Sequence, residues 1–212
     1  MIKFRDREIA LTDRSVGDGS RRVVRTRAFA EKVIYSLCDY SGNWVRYYKD
    51  AGYDTRCIDL KNGQDVRLLL RPDVQVYGVL AAPPCTVFAG SGAKWRALRP
   101  VSEVLEGLSI VDACLRFIYA CDPVFWALEN PVGWLNNYIG KPKMYFDPCD
   151  YGDPYTKRTG LWGKFNVPER TPVEPVEGSK LHLNYGGRSE RTKTMRSITP
   201  LGFAEAFFKA NR

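Results

Sequence analysis

This 212-residue chain has few of the residues and patterns that indicate a zinc site, a disulfide framework or a membrane span. It has one histidine, His182, and no two of its six cysteines are separated by two residues. Neither a zinc site nor a disulfide framework is therefore expected in a chain of this size without an export signal. No stretch approaches the roughly 20 consecutive apolar residues of a membrane helix, so we expect no membrane span.

Positive charge and apolar residues are plentiful. The formal net charge is +8, and hydrophobic residues make up 44% of the chain, as is typical of a globular protein. The excess of positive charge favours a polyanionic partner, although solvated surface charge is an alternative. The N-terminus has no apolar signal-peptide core, so we expect a cytoplasmic protein. Basic residues cluster in two regions, at Arg21, Arg22, Arg25 and Arg27 and at Lys157, Arg158, Lys164, Arg188, Arg191, Lys193 and Arg196.

Short apolar segments alternate with helical patterns and predict an α/β fold with a mainly parallel, doubly wound sheet. The predicted strands are 33–38, 53–58, 74–82 and 124–128, and the predicted helices are 43–50 and 102–120, with a helical turn at 65–70. A last helix is expected to have Thr199 as its N-cap and Pro200 at its first position. The long helix is predicted to bury one face, made of Val104, Leu105, Leu108, Val111, Leu115 and Ile118.

Two of these strands end in residues that can do chemistry. Cys85 follows Pro83 and Pro84 at the end of one strand, and Glu129 and Asn130 follow the other. A thiol and a carboxylate are the two groups needed to attack a pyrimidine ring at C6 and to stabilise the resulting anion. An inert core thiol and a surface acid are the alternatives, and the flanking prolines argue against the first.

The turn after the first strand predicts a ligand site. Gly42 allows close approach of the backbone, and Asp59 ends the second strand, where nucleotide-binding folds place an acid on ribose hydroxyls. Asp65 is expected near an adenine amino group. A single glycine gives no pyrophosphate cradle, whereas S-adenosylmethionine has no phosphate and carries a sulfonium that tolerates nearby acids. A turn glycine with solvent-facing acids is the alternative interpretation.

In their order along the chain, these motifs resemble those of the C5-cytosine DNA methyltransferases, especially small phage and prophage members. The resemblance covers about residues 33–165 and resumes at the C-terminal helix. Pro83-Pro84-Cys85 matches the family's nucleophile motif, and Glu129-Asn130-Pro131 matches its Glu-Asn-Val motif. The segment 38–42 keeps only the second glycine of a Phe-x-Gly-x-Gly motif.

A third motif of the family, Tyr-Gly-x-Pro-Gln-x-Arg-x-Arg, is similar to residues 151–159. The frame is retained, but Tyr155 replaces the glutamine, and Lys157 and Thr159 replace the two arginines. The resemblance implies that Arg158 performs part of the role of the two family arginines that Lys157 and Thr159 replace.

The resemblance implies an S-adenosylmethionine-dependent enzyme with a Rossmann-like fold that methylates C5 of cytosine in DNA through a covalent bond between Cys85 and C6. Lys94, Arg96 or a helix N-terminus is expected to favour the thiolate of Cys85. Catalytic roles are implied for Cys85, Glu129, Asn130, Lys157 and Arg158. Cofactor contacts are implied for Asp39, Tyr40, Gly42, Asn43, Trp44, Asp59, Leu60, Gln64, Asp65 and Pro83.

Four regions are expected. Residues 1–30 form a basic N-terminal segment, 31–166 the catalytic and cofactor-binding domain, 167–196 a rudimentary recognition segment, and 197–212 a C-terminal helix that packs back and closes the cofactor pocket. So short a recognition segment implies low sequence specificity, or recognition through a homo-oligomer or a partner. The resemblance implies a phage-encoded enzyme that acts in the bacterial host cytoplasm.

Three alternatives remain open. The target base can be extruded from duplex DNA or presented in a single strand, with Gly90-Ser91-Gly92 as hinges of a closing loop. The acceptor can instead be a free cytidine nucleotide, or the transferred group something other than methyl. A catalytically silent DNA-binding homologue is the third alternative, suggested by the departures at Tyr40, Tyr155 and Thr159.

Overall fold

A six-stranded sheet organises the described part of the chain, residues 32–90, 97–179 and 190–212 of a computed structural model. The strand order is β2-β1-β3-β4-β6-β5. The strands are β1 Val33–Leu37, β2 Asp54–Ile58, β3 Val76–Ala81, β4 Phe125–Pro131, β5 Met144–Phe146 and β6 Thr159–Lys164. The helices are α1 Arg46–Asp50, α2 Val101–Cys121, α3 Asn136–Ile139, α4 Glu190–Ser197 and α5 Leu201–Ala210. None of these helices combines the length and apolar character needed to cross a bilayer.

Some predicted features lie outside the described residues. They are the basic segment 1–30, residues Ser91, Gly92, Lys94 and Arg96 of the loop after Cys85, and the part of the recognition segment that contains His182 and Arg188.

The mainly parallel sheet is confirmed, with two additional strands, β5 and β6. Strands β1 to β4 run parallel, whereas β6, which was not predicted, runs antiparallel to both β4 and β5. Pairing with β3 ends at Leu128, but pairing with β6 carries β4 on to Pro131. The expectation that Glu129 and Asn130 follow a finished strand was therefore wrong, because the antiparallel neighbour extends β4 through them.

Helices cover both faces of the sheet, which confirms the doubly wound arrangement. Along β1, Val33, Tyr35 and Leu37 belong to the core beneath α2, while Ile34 belongs to the core beneath α1 and α5. Strands buried on both faces read as continuous apolar runs rather than as alternating patterns. This is why the inner parallel strands β1, β3 and β4 were recognisable in the sequence.

The long helix α2 has the predicted extent, and most of its predicted face is buried, since Val111 and Ile118 lie in the core and Leu108 and Leu115 pack against it. Its fully buried positions begin at Ile110, and Leu105, which was expected in the core, is 60% exposed. Helical periodicity identifies residues that share a face, but it does not show how far along the helix the partner surface extends.

The ends of two other helices also differ from expectation. Helix α1 begins at Arg46 rather than at residue 43. Helix α5 begins at Leu201 with Pro200 as its N-cap, so Thr199 is not the cap, and its hydroxyl makes no capping bond. Thr199 is instead buried.

Helix α5 packs back on the sheet through its aromatic residues, as expected of the C-terminal helix. The ring of Phe203 stacks on Phe146 with centroids 4.0 Å apart, and Phe203 and Phe207 both contact Trp44. The N-terminus of α5 is seated by Asp153, whose Oδ2 accepts a hydrogen bond of 2.9 Å from Gly202 N. A Cβ atom at Gly202 would overlap the carbonyl oxygen of Tyr151, so glycine is required there by close backbone contact.

Gly202→Ala is therefore expected to destabilise the protein, although alanine is the better helix former by about 1 kcal/mol. Overpacking against the Tyr151 backbone should lower the free energy of unfolding by roughly 1–3 kcal/mol, as measured by urea denaturation. Lys209→Ala, at an exposed position of the same helix, is the matched control and should change it by no more than about 0.5 kcal/mol. A Gly202→Ala variant as stable as the wild type would contradict the close contact.

Candidate active site

A cavity of about 850 Å³ opens at the carboxyl edge of the parallel strands. Strand β1 lies between β2 and β3, so the chain order reverses beside β1. In open α/β sheets, ligands bind in the crevice outside the strand ends at such a reversal. Segments that follow β1, β2 and β3 line the cavity, with residues Cys38, Asp39, Tyr40 and Ser41, Asp59, Leu60, Lys61 and Gln64, and Ala82, Pro84, Cys85 and Thr86.

Asp39 fixes the turn after β1. It is 5% exposed, its Oδ2 accepts a hydrogen bond from Ser36 Oγ, and its Oδ1 accepts from Ser41 Oγ and from Gly42 N. Gly42 has a φ of 65°, in the left-handed region that glycine adopts readily. Asp39 thus lines the cavity while holding the turn that shapes one of its walls.

The two other acids of the predicted cofactor site differ in what they offer a ligand. Asp59 Oδ1 accepts a hydrogen bond from Lys61 N, and its Oδ2 has no hydrogen-bond partner among the described residues. Asp65 does not line the cavity, and its carboxylate is bound by the Arg67 side chain at 2.6 Å. That hydrogen-bonded guanidinium lowers the pKa of Asp65. The structure therefore places Asp59, but not Asp65, at the cavity.

The predicted cofactor residues separate into two groups. Asp39, Tyr40, Asp59, Leu60 and Gln64 line the cavity, whereas Gly42, Asn43, Trp44, Asp65 and Pro83 do not. Trp44 is fully buried between the sheet and α5. It belongs to the core because it lies in the turn that leads into α1, and that helix covers the opposite face from α2.

Cys85 lies in a turn directly after β3, at the wall of the cavity. Its carbonyl oxygen accepts hydrogen bonds from Phe88 N and Ala89 N, which fix the turn. Burial raises the pKa of the Cys85 thiol, and the negative charge of Glu129 acts in the same direction. Lys157 and Arg196 oppose that rise without cancelling it. The resting side chain is therefore predominantly a thiol at neutral pH, and the nearby cations favour its thiolate.

A hydrogen bond joins the two motifs that the sequence singled out. Asn130, fully buried on β4, donates from Nδ2 to the carbonyl oxygen of Pro83 at 2.9 Å. Its Oδ1 is buried and has no hydrogen-bond partner among the described residues. Buried polar atoms are rarely left unsatisfied, because each costs about 1–3 kcal/mol. Asn130 thus ties the Cys85 turn to the strand that carries Glu129.

Glu129 presents a second unsatisfied atom at the same place. The residue is 6% exposed, and its Oε2 is buried with no hydrogen-bond partner in the described part of the chain. Its Oε1 lies 4.0 Å from Lys157 Nζ. A buried carboxylate with one oxygen beside a cation and the other unpartnered is suited to meet a polar ligand.

The side chains of Lys157 and Arg158, both predicted to be catalytic, lie in different environments. The Lys157 side chain is 13% exposed and lies beside Glu129. Arg158 is exposed and pairs with Asp147 at 3.2 Å. Successive side chains of an extended segment alternate in direction, so only one of the two can face Glu129. The structure brings Lys157 to the site and leaves Arg158 at the surface.

Part of the cavity wall was not predicted. The end of α4 contributes Thr194, Arg196 and Ser197, and Ile198 follows it. Arg99, just before α2, and Glu103, in the first turn of α2, also line the cavity and form an ion pair of 3.1 Å. We expected the C-terminal helix to close the pocket, but the end of α4 and Ile198, which follows it, form that wall. Helix α4 has a single apolar residue, Met195, and lacks the apolar period that reveals a helix in a sequence.

Comparison with known proteins gives little support beyond the site itself. No family model and no curated protein matches the chain. Among solved structures, it is similar to a proposed DNA modification methyltransferase encoded within a prophage of E. coli, with a TM-score of 0.45 and 14% identity. The match covers 75% of this chain and 56% of that protein, so the chain spans little more than half its length. A similarity this low does not bear on function.

The bond from Asn130 to Pro83 can be tested by its removal. Asn130→Ala leaves the buried Pro83 carbonyl without its donor, so the free energy of unfolding should fall by roughly 1–3 kcal/mol in urea denaturation. Asn137→Ala, an exposed position on α3, is the control and should have an effect within about 0.5 kcal/mol. Equal stabilities of the two variants would show that the hydrogen bond contributes little.

Proposed function

We propose that the chain is an S-adenosylmethionine-dependent methyltransferase that methylates C5 of cytosine in DNA through a covalent bond between Cys85 and C6. One observation carries the proposal. A cavity-lining thiol is tied, through the hydrogen bond from Asn130 to Pro83, to a buried carboxylate that has one unpartnered oxygen. The motifs at 83–85, 129–131 and 151–159 occur in the same order as in the C5-cytosine DNA methyltransferases, and this resemblance also supports the proposal.

The cavity suits S-adenosylmethionine in size and in chemistry. Its volume of about 850 Å³ falls within the common range for small-molecule sites. Asp59 Oδ2 offers an acceptor to ribose hydroxyls, and Leu60 and Gln64 follow it along the same wall. The Asp39 carboxylate at the cavity suits a cationic ligand better than an anionic one. When bound, the cofactor supplies an electrophilic methyl group carried on a positively charged sulfur.

The chain's own residues would activate the base. Cys85 loses its proton to water, and the thiolate bonds to C6 of cytosine, which shifts an electron pair toward C5. Glu129 meets the N3 and N4 edge and holds a proton taken up from water against N3, which neutralises the charge developing on the ring; this proton returns to water when the thiolate is expelled. Lys157, 4.0 Å from Glu129 Oε1, holds that carboxyl group in place. Once C5 carries the methyl group, its proton leaves to water and the thiolate is expelled, which restores the ring's double bond.

DNA is the acceptor favoured by the charge of the chain. The net charge of +8 favours a polyanion over a free nucleotide. A cytosine inside a duplex must leave the stack before the Cys85 thiol at the cavity can reach C6, and this costs least when the base is already single-stranded. We therefore expect transfer to single-stranded DNA to be at least as fast as to duplex DNA.

Transfer of labelled methyl to duplex DNA, single-stranded DNA and dCMP would test this function. Label should appear at C5 of cytosine in DNA and should be lost in Cys85→Ala. Cys149→Ala is the matched control, because Cys149 is a free thiol that does not line the cavity. Removal of a covalent nucleophile should lower the rate by at least about 10³-fold, whereas the control should keep wild-type activity.

Other outcomes of that experiment would favour other functions. Label on dCMP alone would favour an enzyme that modifies a free cytidine nucleotide. Cofactor binding without label on any acceptor, together with salt-sensitive DNA binding, would favour a catalytically silent DNA-binding protein.

A further inference from the structure

A second pocket, of about 280 Å³, opens at the opposite edge of the sheet from the cavity that Cys85 lines. Strands β3 and β4 begin at this edge, and β6 ends there because it runs antiparallel to β4. Segments far apart in the sequence therefore meet at this pocket, which we call the amino-edge pocket. They contribute Tyr77, Val124, Phe125, Lys143, Lys164, Phe165, Asn166, Asn211 and Arg212.

Three cationic side chains converge on the amino-edge pocket. Lys143 precedes β5, Lys164 ends β6, and Arg212 follows α5. Among the described residues, no acidic side chain lines the pocket, and none of these cations forms a salt bridge with an acid. The α-carboxylate of Arg212 offsets one charge of the three. A recess lined by an excess of one sign of charge focuses the electric field and concentrates ions of the opposite sign.

Hydrogen bonds fix the backbone that carries two of these cations. Asn211, which is 5% exposed, donates from Nδ2 to two carbonyl oxygens, one of them Asn166 O at 3.0 Å, and its Oδ1 accepts from Asn166 N at 2.7 Å. Asn166 Nδ2 donates in turn to a carbonyl oxygen at the end of α5. These bonds hold the segment after Lys164 against the segment before Arg212. They also use both amide protons of Asn211, so the cations are left to meet a ligand.

The third cation is placed by the wall of the pocket. Lys143 Nζ donates a hydrogen bond to the carbonyl oxygen of Phe165 and lies 4.5 Å from the centroid of the Phe165 ring. A further ammonium group, Lys32 Nζ, lies 4.1 Å from the centroid of the Tyr77 ring, which lines the same pocket. Charges that are already in position lower the ordering cost of binding a ligand.

We infer that the amino-edge pocket is a binding site for a dianionic phosphate group, as in inorganic phosphate or a nucleoside monophosphate. Such a group carries a charge of about −1.5 to −2 at pH 7 and three strong acceptor oxygens, which matches three converging cations. A carboxylate, with one charge and two oxygens, would leave more positive charge uncompensated. The volume of about 280 Å³ lies just below the usual range for small-molecule sites, so it suits a phosphate group with little attached. The site does not depend on the proposed methyl transfer.

Titration of the ¹⁵N-labelled protein with inorganic phosphate, followed by two-dimensional NMR at constant ionic strength, tests the site. The backbone amide signals of Phe125, Phe165 and Asn166 should shift in a saturable way, with a dissociation constant on the order of 1 mM. The amide signals of Ser41 and Leu60, at the other cavity, should not shift. Sodium chloride, added alone, gives the effect of ionic strength and should shift neither set.

Lys164→Gln should raise that dissociation constant at least about tenfold, because a charged hydrogen-bond donor to phosphate is lost. The Lys164 side chain is exposed and makes no hydrogen bond or salt bridge with the described residues, so the substitution should leave the fold intact. Lys164→Arg keeps the charge and should keep most of the affinity. Lys141→Gln is the matched control, because Lys141 is exposed and does not line the pocket. Its dissociation constant should stay within about twofold of the wild type, since salt screens more distant charges.

Two further probes identify the source of the phosphate group. dTMP cannot accept a methyl group at C5, which already carries one, so it reports on binding alone. Shifts of the pocket amides with dTMP would support a nucleotide site, and shifts with inorganic phosphate alone would support a site for the free ion. Shifts with an oligothymidylate that lacks terminal phosphates, but not with inorganic phosphate or dTMP, would overturn the inference in favour of a nucleic-acid backbone.

The inference would also be overturned if Lys164→Gln bound phosphate as tightly as the wild type, or if phosphate shifted only the amides of the other cavity. The outcome is separable from the proposed function. Phosphate binding by a protein that methylates no acceptor would leave the amino-edge site intact, and methyl transfer by a protein that binds no phosphate would leave only the proposed function.

Discussion

The hydrogen bond from Asn130 Nδ2 to the Pro83 carbonyl connects the parts of the site. It joins the turn after β3, which carries the thiol, to β4, which carries the carboxylate. The connection depends on β6, because antiparallel pairing keeps β4 extended as far as Pro131. Without that extension Asn130 would lie in a loop, and nothing would fix the thiol relative to the carboxylate.

The fold was predictable where burial dominates the sequence pattern. Strands β1, β3 and β4 are buried on both faces and therefore read as apolar runs, whereas in the edge strand β2 only Ile58 is buried. Strand β6 was missed because Gly160 and Gly163 weaken its strand pattern, and α4 was missed because it lacks an apolar period. These two segments, which lack a clear apolar pattern, form the antiparallel side of the sheet and part of the cavity wall.

The site was predictable where a motif fixes a strand end. Cys85 and Asp59 follow parallel strands, and such ends meet at one edge of a sheet. Asp65 could not be placed in this way, since a local ion pair with Arg67 satisfies it. No single motif predicts that Lys157, rather than Arg158, lies beside Glu129, or that Arg196 lines the cavity. Both depend on the direction in which a side chain leaves its segment.

The covalent bond between Cys85 and cytosine is the central claim, and trapping it is the most direct test. DNA of mixed sequence with 5-fluorocytosine in place of cytosine has no C5 proton to lose, so the bond to Cys85 cannot be broken after methyl transfer. Incubation with S-adenosylmethionine should give a peptide containing Cys85 that carries the methylated fluorinated nucleotide, detected by mass spectrometry. Absence of this adduct under conditions in which DNA and cofactor both bind would contradict the account.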